Sequence, residues 1–428
     1  RVHIVRHHWR GEVEATDRNI ELMGQREESS SWLTLEHAGY TAIGLLAAGL
    51  RLLHLGLRPL SEGEAVQALA ALEFTQGAVP VAPSGTIPAL FTSNTLAFSL
   101  LGAGDITARW LPVLAGVILA LLPYGMRHRL GRGGALVAAL LLALSSSAVY
   151  FSRMLDGAVV VAACGLALAV GLIRFIDMRR PRALYLAAAA LGLGLLAGPG
   201  IWTLLVIFAA FVLVLYLAER LLDSESGWSA LMEAWSSLRE EKSDPDSGEQ
   251  RGLSPLARTG IVLAAVFGLG ATTLVLQPAG VGHAADLIGA WARDFSPQPG
   301  GQYLAYPLLL LLRYEPLILF LGLVELGQWL VAGRSQRNHV ALLGPSFPHT
   351  AFLVFWAVAA TLIILIAGHR APGNLFLVVV PLALLAGQGV ERTCRWLTRQ
   401  YLWAEAGAVA AVAAGLGAFL YLQLASYA

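Results

Sequence analysis

Charge is what this sequence has least of. Only 13% of its 428 residues are Asp, Glu, Lys or Arg, where an ordinary soluble domain carries about a quarter. So little charge excludes a water-soluble globular enzyme. Lys242 is the one lysine, and the other 28 basic residues are arginine. The formal net charge of +1 provides no basic field, so no nucleic-acid partner is expected. Cysteine is almost absent as well. Cys164 and Cys394 fall in or beside apolar segments without paired spacing, which excludes a disulfide framework and a thiolate metal site. The opening stretch, "RVHIVRHHWRGEVEATDRNIELMGQREESS", lacks an apolar run. Residues 1–32 are therefore expected to form a cytoplasmic arm and not a cleavable signal peptide.

Apolar length is what the chain has in abundance. It is 57% hydrophobic with a mean hydropathy of +0.65, and apolar runs recur at close to the ~20 residues that a bilayer-crossing helix needs. Lipid leaves only helices or closed barrels as spanning structures, and barrel strands would alternate in polarity. The fold class is thus all-α, a polytopic integral membrane protein. About eleven transmembrane helices are expected, near 38–57, 107–125, 133–151, 157–176, 183–197, 201–217, 259–276, 314–331, 350–367, 373–390 and 402–424. "AGPG" at Ala197–Gly200 divides one long apolar stretch into two of these spans, because Gly-Pro-Gly breaks a helix.

The arginines set the orientation. With the N-terminus inside and the C-terminus outside, 22 of the 29 Lys and Arg residues fall in cytoplasmic segments, as the positive-inside rule requires. The seven left over are Arg51, Arg58, Arg109, Arg153, Arg293, Arg313 and Arg370. Counting residues 87–101 as a span would invert every later loop, so they read as re-entrant or interfacial. The transmembrane domain then runs over 33–428, with large outer loops at 58–106 and 277–313 and a cytoplasmic excursion at 218–258. Within that excursion Trp228, Leu231, Met232, Trp235 and Leu238 recur at helical spacing. They predict an amphipathic helix on the inner surface, followed by a polar linker.

Ionisable residues at a membrane face are costly unless paired, solvated or used. Carboxylates in the first outer loop and arginines in later ones suit one chemistry. The arginines would hold the phosphate of a lipid-linked donor, and a carboxylate would take the proton of an acceptor hydroxyl. The plainer alternative is that each arginine snorkels to headgroups. For Glu64 and Glu62 the alternative is a role in the first turn of a helix. For Asp156 it is a helix cap, for Arg109 an anchor paired with Asp105, and for Arg313 an intramembrane pair with Glu315.

"LRLLHLGLRPLSEGEA", "PSGTIPALFTSNTLAFSLLGAGDITARWLPVLAG", "ALLLALSSSAVYFSRMLD", "GGQYLAYPLLLLLRYEPL" and "AGHRAPGNLFLVVVPLALLAG" together resemble the GT-C membrane glycosyltransferases. That superfamily includes the protein O-mannosyltransferases and aminoarabinose transferases, and the blocks are most similar to a prokaryotic branch of flippase-activity-associated proteins. The resemblance implies an outer-face transferase in a prokaryotic plasma membrane, using a polyprenyl-phosphate-linked sugar as donor. It implies Glu64, Glu62 and Asp156 as catalytic residues and Arg109, Arg153, Arg313 and Arg370 as substrate-binding residues. Any divalent metal is left open. The chain departs from the family in reading Gly63-Glu64 where Asp-Glu is usual. Asp156 follows Ser152-Arg153 earlier than expected, and "AGHRAPGN" keeps Arg370 without acidic or aromatic neighbours. Two functions follow. One is an integral-membrane glycosyltransferase. The other is a catalytically degenerate relative acting as a structural or lipid-binding subunit, with membrane lipids and other membrane-protein subunits as its partners. A transporter is disfavoured by the absence of repeated halves.

Overall fold

The computed structural model describes residues 35–77, 86–222, 227–240, 253–296, 303–335 and 348–400, with 407 and 415. The chain divides into two compact units, 1–42 and 43–428. Of the first unit only residues 35–42, the opening turns of one helix, are described. The expected arm at 1–32 and the last expected span at 402–424 therefore lie outside the described residues, apart from the isolated Gly407 and Gly415.

All regular structure among the described residues is helical. Helix α1 (Leu35–Leu52) leads to α2 (Glu62–Thr75), α3 (Pro88–Leu101) and α4 (Trp110–Leu121). At 14 residues α3 spans only ~21 Å, less than the ~30 Å hydrocarbon core. Helices α5 (Arg132–Leu144) and α6 (Ser146–Ser152) form one bent pair, followed by α7 (Ala158–Met178). Then come α8 (Pro181–Ala197) and α9 (Gly200–Leu222), joined by the tight turn at Gly198-Pro199. The amphipathic α10 (Gly227–Glu240) precedes α11 (Pro255–Ala271) and α12 (Gly280–Arg293). A second bent pair, α13 (Tyr306–Tyr314) and α14 (Pro316–Ser335), is followed by α15 (His349–Ile366) and α16 (Phe376–Gln400).

Among the described residues, five helices are long and apolar enough to cross a membrane, or seven if each bent pair is one span. The difference from eleven has identifiable sources among the described residues. Helices α8 and α11 are apolar but only 17 residues long, and α1 carries Glu36 and Arg51 within its 18 residues.

The two bends hold each other. At Ser145 the axis turns by 54° between α5 and α6, which frees carbonyls behind the break and an amide ahead of it. Fully buried Arg51 takes the carbonyl side, donating to Leu142 O at 3.4 Å and Ala143 O at 3.2 Å. Its Nε reaches Ser152 Oγ at 3.2 Å. Fully buried Glu315 takes the amide side, its Oε1 accepting the Ser147 N–H at 2.8 Å and the Ser145 hydroxyl at 2.6 Å. Each charge faces the helix end whose partial charge it complements. Glu315 itself stands at the 104° bend between α13 and α14, where Ser146 Oγ donates to Tyr314 O. Gly116 of α4 makes the approach possible, because a Cβ there would meet Ser152 Oγ and lie 2.6 Å from Arg51 Nε.

Candidate functional site

The first-loop carboxylates sit where local sequence chemistry puts them. Ser61 caps α2, and Glu64 at the third helical position accepts the Ser61 backbone N–H at 2.9 Å. The alanine face of α2 (Ala68, Ala71) packs against Leu90, Phe91 and Phe98 of α3, with Leu155 in the same cluster. That packing leaves Glu64 only 4% exposed, against Arg109 at 1%.

Glu64 and Arg109 are brought together, and they satisfy each other. Arg109 Nε donates to Glu64 Oε1 at 2.9 Å and Nη2 to Oε2 at 3.1 Å. The remaining guanidinium donors reach the carbonyls of Leu55, Arg58 and Pro59. Glu64 also accepts the Leu155 N–H at 2.8 Å and the Ser61 hydroxyl at 2.9 Å. Burial alone would raise its pKa, but Arg109, Ser61 and Leu155 together outweigh it and hold the carboxyl down to about 2. The pair ties the start of the first loop, the start of α4 and the 153–157 turn into one knot. Arg109 takes Glu64 as its partner, not Asp105.

Asp156 emerges from that knot. It follows Leu155, and its Oδ1 accepts the Ala158 N–H at 2.6 Å, so it helps to cap α7. No other donor among the described residues reaches the carboxyl. Burial raises its pKa, the Ala158 N–H opposes, and the nearby Glu64 charge raises it further. The 372–375 turn closes over it: a Cβ on Gly373 would lie 4.0 Å from Asp156 Oδ1 and 2.7 Å from Ala158 Cβ. Gly157 is required beside it, because any Cβ there would collide with the Ala197 carbonyl.

On the Arg109 face of the knot lies a cavity of about 560 Å³. Its polar lining is His54, Arg58, Arg109, Ser146, Tyr150 and Arg153, and its walls are mostly leucine. Arg153 is half-buried and donates to Leu50 O at 3.3 Å and His54 O at 3.1 Å. His54 closes α1 in the left-handed region at φ 57°.

The other expected residues stand apart. Glu62 is exposed and lines a different hollow of about 500 Å³ with Asp105. Arg313 is exposed beside the Tyr314 ring at 5.6 Å, and Glu315 bonds to Ser145 and Ser147 in its place. Arg370 donates to Leu365 O and does not line the cavity. His54 and Tyr150 were not singled out from the sequence, and Arg58 was named only among the seven outward-facing arginines. The available signal was "LHLGLR", two polar residues emerging from an apolar run. No group of three or more His, Cys, Asp or Glu among the described residues could hold a metal ion.

Residues 88–234 match the family described as dolichyl-phosphate-mannose-protein mannosyltransferase. No curated protein sequence matches the chain significantly. Among solved structures, ArnT from Cupriavidus metallidurans bound to undecaprenyl phosphate aligns at TM-score 0.57 and 16% identity, over 85% of this chain and 61% of that one. The apo oligosaccharyltransferase of Archaeoglobus fulgidus aligns at TM-score 0.62 and 14% identity, over 92% of this chain and 56% of that one. The same organism's oligosaccharyltransferase AglB, in complex with an inhibitory peptide and a dolichol-phosphate, aligns at TM-score 0.60 and 14% identity, with the same coverage of 92% and 56%. The chain thus spans well under two thirds of the solved proteins that it resembles.

Proposed function

We propose, from the GT-C membrane-glycosyltransferase fold that this multi-pass chain carries, that it transfers a sugar from a polyprenyl-phosphate donor to an acceptor hydroxyl on the outer face of a prokaryotic plasma membrane. The observation that carries the reading is the 560 Å³ cavity, in which leucine walls meet His54, Arg58 and Arg153. Apolar walls suit a prenyl chain, and the two guanidinium groups suit its phosphate. Similar chains solved with undecaprenyl phosphate or a dolichol-phosphate add support.

In this reading Asp156, which lies beside the knot and outside the cavity lining, is the base. It takes the proton of the acceptor hydroxyl as that oxygen bonds to the sugar's anomeric carbon. The bond to phosphate breaks, and Arg153 and Arg58 hold the departing lipid phosphate. Glu64 has no lone pair to offer, and Gly63 supplies no carboxylate, so the step falls to Asp156. The test is transfer from a polyprenyl-phosphate sugar pool by wild type and Asp156→Asn. Loss of about 10²–10⁴-fold, the usual weight of a general base, with unchanged melting supports the assignment. Full activity in Asp156→Asn sinks it.

The tight engagement of Glu64 by Arg109 favours a second reading, a degenerate relative kept as a lipid-binding or structural subunit. No transfer by the wild type, with polyprenyl-phosphate binding intact, decides for it.

A further inference from the structure

A polar cavity of about 490 Å³ opens at the end of the bundle opposite the candidate site. Two stretches, "RHRLGRGG" and "GQGVERTCRW", and His349 at the start of α15 supply its lining. Arg129 of that lining binds Asp177, next to the last residue of α7. Asp156 precedes the other end of α7, whose 21 residues span about 30 Å.

The glycines of the first stretch fix the one carboxylate in the wall. A Cβ on Gly133 would lie 2.5 Å from Glu391 Oε2, and one on Gly131 2.6 Å from Glu391 Cγ. Glu391 can therefore reach the N-terminus of α5, where its Oε2 accepts the Gly134 N–H at 3.0 Å. Its Oε1 accepts from Arg395 Nε at 2.9 Å and Nη2 at 2.7 Å. Both oxygens of Glu391 are thus already engaged.

The guanidinium groups are held but not used up. Arg129 directs Nε and Nη2 at Asp177, and Arg392 pairs through Nη1 with fully buried Glu325 at 2.8 Å. Neither of those carboxylates lines the cavity. Of the five N–H groups on a guanidinium, Arg129 and Arg395 each commit two among the described residues, which leaves three apiece. Arg392 has more to offer, since one nitrogen makes its ion pair. His128 and His349 line the same space. Gln388, only 8% exposed, donates Nε2 to Thr350 Oγ1 at 2.8 Å and finds no donor for Oε1. Rotating that amide would give the oxygen the Thr350 hydroxyl and leave the NH₂ over as one more donor. The wall therefore carries an excess of donors, and its acceptors are taken. The mouth is open to solvent, with Arg395 65% and Arg392 43% exposed.

We infer that this cavity binds a phosphate monoester, whose three terminal oxygens take the spare N–H groups of Arg129, Arg392 and Arg395. The site is separate from the candidate active site and does not depend on the function proposed for it. The monoester can be a soluble metabolite or the headgroup of a lipid, and two probes distinguish these sources. Glycerol 3-phosphate is titrated calorimetrically into the full chain in phosphatidylcholine nanodiscs, and retention of phosphatidic acid is read by native mass spectrometry. Arg129→Ala and Arg395→Ala should each weaken binding about tenfold, the weight of a charge-assisted hydrogen bond. Arg392 is changed together with its buried partner, as Arg392→Gln with Glu325→Gln, because the single change would strand a carboxylate; the pair should weaken binding as much. Arg153→Ala, at the other end of the bundle, should leave it unchanged. Phosphatidic acid that displaces glycerol 3-phosphate identifies a lipid as the source, and glycerol 3-phosphate binding that phosphatidic acid leaves undiminished identifies a soluble one. Three results overturn the proposal: binding of neither probe, undiminished binding in Arg395→Ala and the other variants that still melt cooperatively, or binding lost in Arg153→Ala instead.

Discussion

Breaking the Glu64–Arg109 pair separates a structural carboxylate from a catalytic one. Glu64 accepts five hydrogen bonds from Arg109, Ser61 and Leu155, and it is 4% exposed. Glu64→Gln keeps the shape but turns one acceptor into an NH₂ group. Whichever way the amide faces, that group points at N–H donors and the guanidinium loses its counter-charge. Removing one partner of a buried pair costs about 3–5 kcal/mol. The depressed pKa of Glu64 corresponds to a similar figure. A folded pKa near 2 against 4.5 for the free group, at about 1.4 kcal/mol per tenfold, corresponds to roughly 3 kcal/mol.

That stabilisation has a direction in pH. The folded pKa is depressed, so the contribution is complete above about 4.5 and is lost as pH falls towards about 2. Glu64→Gln should therefore be about 3 kcal/mol less stable than wild type at pH 7, and the gap should narrow below pH 4.5 and close only as pH nears 2. Denaturant unfolding in detergent at pH 7, 3.5 and 2 follows it. Arg109→Met should cost as much. The double variant should be less destabilised than the two single losses added, because neither partner is left charged and alone. A Glu64→Gln protein as stable as wild type at pH 7 would refute the knot and return Glu64 to the list of catalytic candidates.

Replacing Arg153 by Ala should weaken polyprenyl-phosphate binding by about 1.5–3 kcal/mol, whereas Arg313→Ala should leave it unchanged; binding to reconstituted protein distinguishes them. Gly63→Ala meets open space and should be neutral or slightly stabilising, while Gly116→Ala collides with Ser152 and Arg51 and should fold poorly. If Asp156 is the base, transfer should fall as pH drops through its raised pKa, and the activity profile reads this directly. In a cysteine-free background, Ser236→Cys on α10 should label only from the inside and Ser296→Cys only from the outside; the reverse pattern would invert the bundle.

The sequence made some of this legible and hid the rest for a physical reason. Periodicity and the arginine distribution are local signals, and they located the helices and α10. Gly198-Pro199 and Pro316 announce their breaks through the chain itself. Nothing in "LLALSSSAVYF" announces the 54° bend at Ser145, which is held from outside by Arg51, 94 positions earlier, and Glu315, 170 positions later. Glu64 was visible as an acid in a first turn, but its partner lies 45 residues away. Asp105 was the nearer acid, and distance along the chain carried no information about which one Arg109 meets.

Counting donors then ranks the arginines. A guanidinium has five N–H groups, and a buried one must satisfy them within the protein. Arg109 places all five on Glu64 and three carbonyls. Arg51 places four, on Ser152, Ala47, Leu142 and Ala143. Both are therefore committed to the fold, and a phosphate could recruit neither without dismantling a helix end. Arg153 makes two such bonds and lines the cavity, so three donors remain for an incoming anion. Its two existing bonds, to Leu50 and His54, aim the guanidinium without using it up. Of the arginines expected to bind substrate, Arg153 is the one whose geometry leaves it both held and available.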